Sequence, residues 1–69
     1  MKISARNALK GTVKSITTGP INAEILIDIG GGNLITSIIT HKSVDSLGLT
    51  EGKSVYAIVK ASEVLVAVD

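Results

Sequence analysis

The sequence predicts a small all-β barrel, and three observations support this fold class. The β-branched residues Ile, Val and Thr, which favour pleated sheet, make up 23 of the 69 residues. Between Ile21 and Ile29 an apolar residue occupies every second position, which is the period of a half-buried strand. Glycine-containing turn signals separate this segment from its neighbours. Together these observations predict short strands that curl around one core.

The predicted strands cover residues 3–18, 21–29, 34–40, 54–59 and 63–68. Gly11 lies inside the first, which predicts either two short strands or one coiled strand. A short helix is predicted between strands three and four, because Val44 and Leu47 have helical spacing, Thr40 or Ser43 can cap its start, and Gly48 can end it. Five strands with one helix in this place are the element order of an OB-type Greek-key barrel.

The composition predicts one domain, spanning residues 1–69, that associates with copies of itself. A domain of this size is only marginally stable alone, and the absence of cysteine removes disulfides as a remedy. The strand 34–40 also carries apolar residues on both faces, with Leu34 and Ile38 on one and Ile35 and Ile39 on the other. A second buried face predicts a subunit interface.

Several classes of function are disfavoured. A net charge of +1 and a single aromatic residue, Tyr56, argue against a nucleic-acid-binding barrel. No apolar run approaches the ~20 residues that cross a bilayer, and residues 1–4 lack the apolar core of a signal peptide. We therefore expect a cytoplasmic protein with no nucleic-acid or membrane partner.

Catalysis and metal binding are not expected either. The sequence has no catalytic triad or zinc motif, and the glycines 30–32 lack the lysine and hydroxyl of a phosphate-binding loop. Glu24 and Asp28 share a strand face, which allows either a carboxylate pair or an ordinary solvated surface. His41 is either an anion contact or a first-turn helix residue. We expect no enzyme activity, no catalytic cofactor and no cation site.

Two short clusters combine a cation, a hydroxyl and a small residue at a predicted strand end. They are Ser4-Ala5-Arg6-Asn7 and Lys60-Ala61-Ser62. An oxyanion that leaves water needs several hydrogen-bond donors and no neighbouring carboxylate. Serine and backbone N–H groups supply donors, while Arg or Lys offsets the charge. The clusters are therefore candidates for an anion site, with structural salt bridges as the alternative.

Four motifs give the sequence a resemblance to the molbindins, small proteins that share a fold module with the transport-associated OB (TOBE) domain. The motifs are Ser4-Ala5-Arg6-Asn7-Ala8-Leu9-Lys10-Gly11, Gly19-Pro20-Ile21-Asn22-Ala23-Glu24, Ile38-Ile39-Thr40 with Ser43 and Leu47-Gly48-Leu49, and Lys60-Ala61-Ser62-Glu63-Val64. They occur in the family's order along essentially the whole chain. The resemblance implies OB-fold subunits in a homo-hexamer built as a trimer of dimers. It also implies cytoplasmic storage of molybdate, and of tungstate, without catalysis.

The resemblance further implies two kinds of site. One lies between subunits and uses Ser4, Ala5, Arg6, Lys60, Ala61 and Ser62. The other lies near a three-fold axis and uses Gly19, Pro20, Ile21 and Asn22, with Thr40 and Ser43 as further contacts. Pro20 withdraws one backbone N–H from this second site. The alternative function is a molybdate-sensing module that docks to a transporter or regulator.

Overall fold

Four antiparallel strands form one curled sheet in the computed structural model, which describes all 69 residues. The elements are β1 (Asn7–Thr18), β2 (Asn22–Gly30), β3 (Asn33–Thr40), α1 (His41–Leu47), β4 (Ser54–Val59) and a 3₁₀ turn (Ala61–Glu63). The strand order is β3-β2-β1-β4. Neither helical segment is long and apolar enough to span a membrane. The predicted all-β class, with one short helix between the third and fourth strands, is confirmed.

Strand β1 is one coiled strand that changes partner along its length. Residues 7–12 pair with β4, and residues 12–18 pair with β2. The register with β2 shifts between Val13 and Ser15, three residues beyond the glycine that the sequence singles out. At Gly11 the β2 backbone comes so close that a Cβ atom would lie 2.6 Å from the carbonyl oxygen of Asp28. Glycine therefore permits the tight coiling of β1 against β2.

The helix begins and ends at the predicted residues. Thr40 is its N-cap, and the Thr40 hydroxyl accepts a hydrogen bond of 3.1 Å from the backbone N–H of Ser43. Gly48 ends the helix in the left-handed conformation, with φ of 61°. The ammonium group of Lys53 then donates to the carbonyl oxygens of Leu47 and Gly48, at 2.8 and 3.1 Å. This cation satisfies carbonyl groups that the helix end leaves without partners.

We expect Lys53→Met to lower the free energy of unfolding by about 0.3–1 kcal/mol, the usual value of a cation at a helix C-terminus. The substitution keeps an aliphatic side chain but removes both hydrogen bonds to the helix end. Lys42→Met is the matched control, because Lys42 lies in α1 itself and makes no such contact. Urea unfolding at one protein concentration measures both. Equal effects of the two substitutions would contradict the capping role.

The core is small and lies on the concave face of the sheet. Its six buried residues are Val13, Ala23, Ile25, Ile27, Val44 and Ala57. Three of them alternate along β2, as the sequence pattern predicts. In contrast, Ile21, which precedes β2, is 73% exposed. Because so few side chains are buried, the single chain leaves much apolar surface in contact with water.

The sheet has four strands rather than five, and the barrel is therefore open between β3 and β4. Residues 63–68 are predicted as the fifth strand, but Glu63 ends the 3₁₀ turn and residues 64–69 pair with no strand. Leu65, Val66 and Val68 are each at least 90% exposed. An apolar, β-branched sequence predicts a strand, but a segment becomes a strand only when it pairs with a neighbouring strand, and residues 64–69 pair with none.

Candidate anion-binding site

The antiparallel pairing of β1 with β4 brings the two cationic clusters together. Asn7, the first residue of β1, is opposite Val59, the last residue of β4. The residues before β1 therefore lie beside the residues that follow β4. They border one cleft of about 460 Å³, which is lined by Ser4, Ala5, Arg6, Ile58, Lys60 and Ala61. We call this the β1–β4 cleft.

Five of the six residues implied for the inter-subunit site line the β1–β4 cleft. The sixth, Ser62, lies in the adjoining 3₁₀ turn but does not line it. Ile58 is the one lining residue that the sequence does not single out. It looks like an ordinary member of an alternating strand, and only its position opposite Ala8 brings it to the cleft. The pairing of Ala8 with Ile58 joins residues that are far apart in the sequence, so no local sequence pattern indicates it.

The β1–β4 cleft carries two cationic side chains and no carboxylate. Neither Arg6 nor Lys60 forms a salt bridge within the chain. The one close contact between a basic and an acidic side chain lies elsewhere, between His41 Nδ1 and Asp45 Oδ2 at 3.8 Å. The alternative, in which the two cations form structural salt bridges, is therefore not supported, because neither cation has an acidic partner in the folded chain. Two cations without a counter-ion in one cleft favour an anionic ligand.

The cleft also has uncharged donors. Ser4 contributes a hydroxyl group, and the 3₁₀ turn begins beside it. Within that turn the N–H of Glu63 donates to the carbonyl oxygen of Lys60 at 2.9 Å. A turn of this kind leaves its first N–H groups, those of Ala61 and Ser62, without a partner inside the turn. The Ser4 hydroxyl, backbone amides and two cations form a donor set suited to an oxyanion.

The residues implied for the second site lie at the opposite end of β1, in the connection to β2 and beside α1. The N–H of Gly19 donates to the carbonyl oxygen of Asn22 at 2.7 Å, and the N–H of His41 donates to that of Ile21 at 2.8 Å. Asn22 is opposite Thr40 in the β2–β3 pairing. This end of the chain therefore places the predicted loop and the helix cap side by side.

Several donors at this end are already engaged. The hydroxyl groups of Thr40 and Ser43 lie 2.8 Å apart and share a hydrogen bond. The N–H of Gly19 is used within its own turn, and Pro20 has none. The amide side chain of Asn22 is exposed and makes no hydrogen bond within the chain. Asn22 is consequently the strongest donor that this cluster can offer to a ligand.

The remaining candidates have structural roles or make no site. The carboxylate of Asp28 accepts a hydrogen bond of 2.8 Å from the N–H of Gly30 at the hairpin turn. His41 lies in the first turn of α1, where it faces Asp45. The structure contains no group of three His, Cys, Asp or Glu side chains arranged to hold a metal ion.

The model of the TOBE domain family matches residues 3–66. A protein of Haemophilus influenzae described as a probable molybdenum-pterin-binding protein is 54% identical over 69 residues, which cover all of both chains. The chain belongs to the molbindin family. Molbindins of this kind carry the TOBE domain, which is a binding rather than a catalytic family.

Solved molbindin structures have the same fold. MopII from Clostridium pasteurianum superposes with a TM-score of 0.91 at 46% identity, covering 97% of this chain and all of that one. ModG, described as a cytoplasmic molybdate-binding protein and solved with molybdate bound, gives a TM-score of 0.84 at 49% identity. This chain matches 43% of the ModG chain and is itself covered over 88% of its length.

Proposed function

We propose that this protein binds molybdate, and tungstate in the same way, in the β1–β4 cleft, and that it stores molybdenum in the cytoplasm without catalysing a reaction. The observation that carries the proposal is the pair of cations, Arg6 and Lys60, that share this cleft without a carboxylate. The relatives add the identity of the anion, because ModG is described as binding molybdate in the cytoplasm.

We propose further that the anion lies between subunits. Ser4, Arg6, Lys60 and Ala61 are all exposed, so the single chain would leave a bound anion largely in water. Hydrogen bonds to an anion become stronger when water is excluded from the site. A second subunit that covers the β1–β4 cleft would exclude that water and supply further donors.

The proposed assembly is a homo-hexamer, arranged as a trimer of dimers. Its support is the distribution of exposed apolar side chains over more than one surface. Leu34 and Ile38, on the convex face of β3, are 44% and 62% exposed, and residues 64–68 form a separate apolar segment. Two distinct apolar surfaces on one chain suit an assembly with two kinds of interface.

Asn22 is proposed to serve a second site on the three-fold axis of that hexamer. Three exposed amide side chains that converge on an axis can donate hydrogen bonds to one anion without any cation. We expect Asn22→Ala to reduce the number of molybdate ions bound per hexamer while the affinity of the β1–β4 cleft stays the same. Equilibrium dialysis with counted anions measures this. An unchanged number of bound molybdate ions per hexamer would rule out the second site.

Isothermal titration tests the proposed function directly. Molybdate and tungstate are titrated into the purified protein, with sulfate at equal concentration as the control anion. We expect saturable heat with molybdate and tungstate and none with sulfate. Equal binding of all three would indicate a general anion site, and no binding of any would remove the storage function.

A further inference from the structure

The pairing of β1 with β4 determines which side chains lie next to the β1–β4 cleft on the convex face of the sheet. Ala8 is opposite Ile58, and Lys10 is opposite Tyr56. Side chains two positions apart on a strand share a face, and these four are exposed, whereas Ala57, between Tyr56 and Ile58, is buried. Because Ile58 lines the cleft, Lys10 lies on the convex face, one cross-strand pair beyond the edge of the cleft.

Lys10 is close enough to the cleft to act on an anion through its electric field, although it does not line the cleft. Two residues of a strand span about 7 Å, and this is the separation along β1 between Lys10 and Ala8, the residue opposite Ile58. Screening by salt acts over about 30 Å at an ionic strength of 0.01 M and over about 3 Å at 1 M. The field of Lys10 therefore reaches the cleft at low ionic strength and not at high ionic strength.

The charge of Lys10 has no partner in the folded chain. Its ammonium group forms no hydrogen bond and no salt bridge. The side chain opposite it, that of Tyr56, is not a carboxylate. The first carboxylate along this face belongs to Asp28, which is opposite Thr12 and so lies farther from the cleft than Lys10 does. An unpaired cation is therefore placed beside a cleft that already contains two cations.

We propose that Lys10 is a third cation of the anion site, which strengthens oxyanion binding through its field and without contact. This inference rests on the proposed function. The attraction between Lys10 and a divalent anion falls with distance and with ionic strength. It involves no hydrogen bond, so it depends on the charge of the anion and not on its shape. Lys10 should consequently add affinity for molybdate and for tungstate by the same factor.

Isothermal titration of Lys10→Met with molybdate, in 0.01 M and in 1 M sodium chloride, tests this role. At 0.01 M we expect the Kd to rise about 2- to 5-fold over that of the wild-type protein, and at 1 M we expect the two Kd values to be equal. Lys10→Glu changes the charge by two units. Its effect at 0.01 M should therefore be roughly the square of that factor, or about 4- to 25-fold.

Lys14→Met is the matched control, because Lys14 is an exposed lysine on the same strand but lies six residues, or about 20 Å, from Ala8. At 0.01 M we expect Lys14→Met to have a smaller effect than Lys10→Met, since the attraction falls with distance. Lys10→Arg is the second control. It keeps the charge and should bind molybdate as the wild-type protein does, which separates loss of charge from a change in the fold of β1.

The outcomes distinguish failure of this inference from failure of the proposed function. Equal Kd values for the wild-type protein and Lys10→Met at 0.01 M would overturn the role of Lys10 and leave the proposed function standing. A loss of affinity that persists at 1 M, or that Lys10→Arg shares, would overturn an action through the field, because it would indicate a contact or a structural role. A wild-type protein that binds no molybdate at either ionic strength would overturn the proposed function and this inference with it.

Discussion

Replacement of Arg6 or Lys60 by alanine is expected to weaken molybdate binding by about 1.5–3 kcal/mol for each residue, or about 10- to 150-fold. Each substitution removes a charged donor from the β1–β4 cleft, whose only two cations are Arg6 and Lys60. The remaining cation would then face the dianion alone. Isothermal titration of the two single variants and of the double variant measures these effects.

Two controls separate the loss of a ligand contact from a general loss of positive charge. Lys14→Ala removes one charge from an exposed position on β1 outside the cleft, and we expect it to leave the affinity within a factor of two. Arg6→Lys keeps the charge but loses the planar guanidinium group, and we expect an intermediate affinity. If Lys14→Ala weakened binding as much as Arg6→Ala, the effect would arise from net charge and not from the cleft.

Gly11→Ala is expected to destabilise the fold by about 1–3 kcal/mol, the usual cost of overpacking a closely packed site. The new Cβ atom would lie 2.6 Å from the carbonyl oxygen of Asp28 and 2.8 Å from Cγ2 of Ile27. The first contact is with backbone, so it can be relieved only if β1 and β2 separate where β1 changes partner. Urea unfolding at a fixed protein concentration measures the loss, because unfolding of an oligomer depends on concentration.

Lys10→Ala is the control for Gly11→Ala, since it places alanine at the adjacent position of the same strand. Lys10 is exposed and makes no hydrogen bond or salt bridge through its side chain. We expect its effect to stay within about 0.5 kcal/mol. A Gly11→Ala variant as stable as the control would show that β1 can move away from β2 at no cost.

The features of the fold that depend on neighbouring residues could be predicted from the sequence. The alternation between Ile21 and Ile29 predicts β2, since strand period is a property of adjacent residues. The helix cap at Thr40 and the left-handed end at Gly48 are confirmed for the same reason. Both helix ends depend on residues that are only a few positions apart, so the local sequence is enough to predict them.

The features that depend on pairing between distant segments were harder to predict. The sequence predicts a strand over residues 63–68 because its composition is apolar and β-branched, but no local pattern shows which edge is free to accept it. The contribution of Ile58 to the β1–β4 cleft likewise depends on the register between β1 and β4. The cationic clusters could be chosen from their chemistry, and only the fold shows that they border one cleft.

Native mass spectrometry of the wild-type protein, with and without molybdate and with sulfate as the control anion, tests the central claim most directly. It reads the number of subunits and the number of bound anions in one measurement. We predict a hexamer that gains discrete masses of molybdate and none of sulfate. A monomer or dimer that takes up neither anion would contradict both the storage function and the assignment of Arg6 and Lys60 to the site.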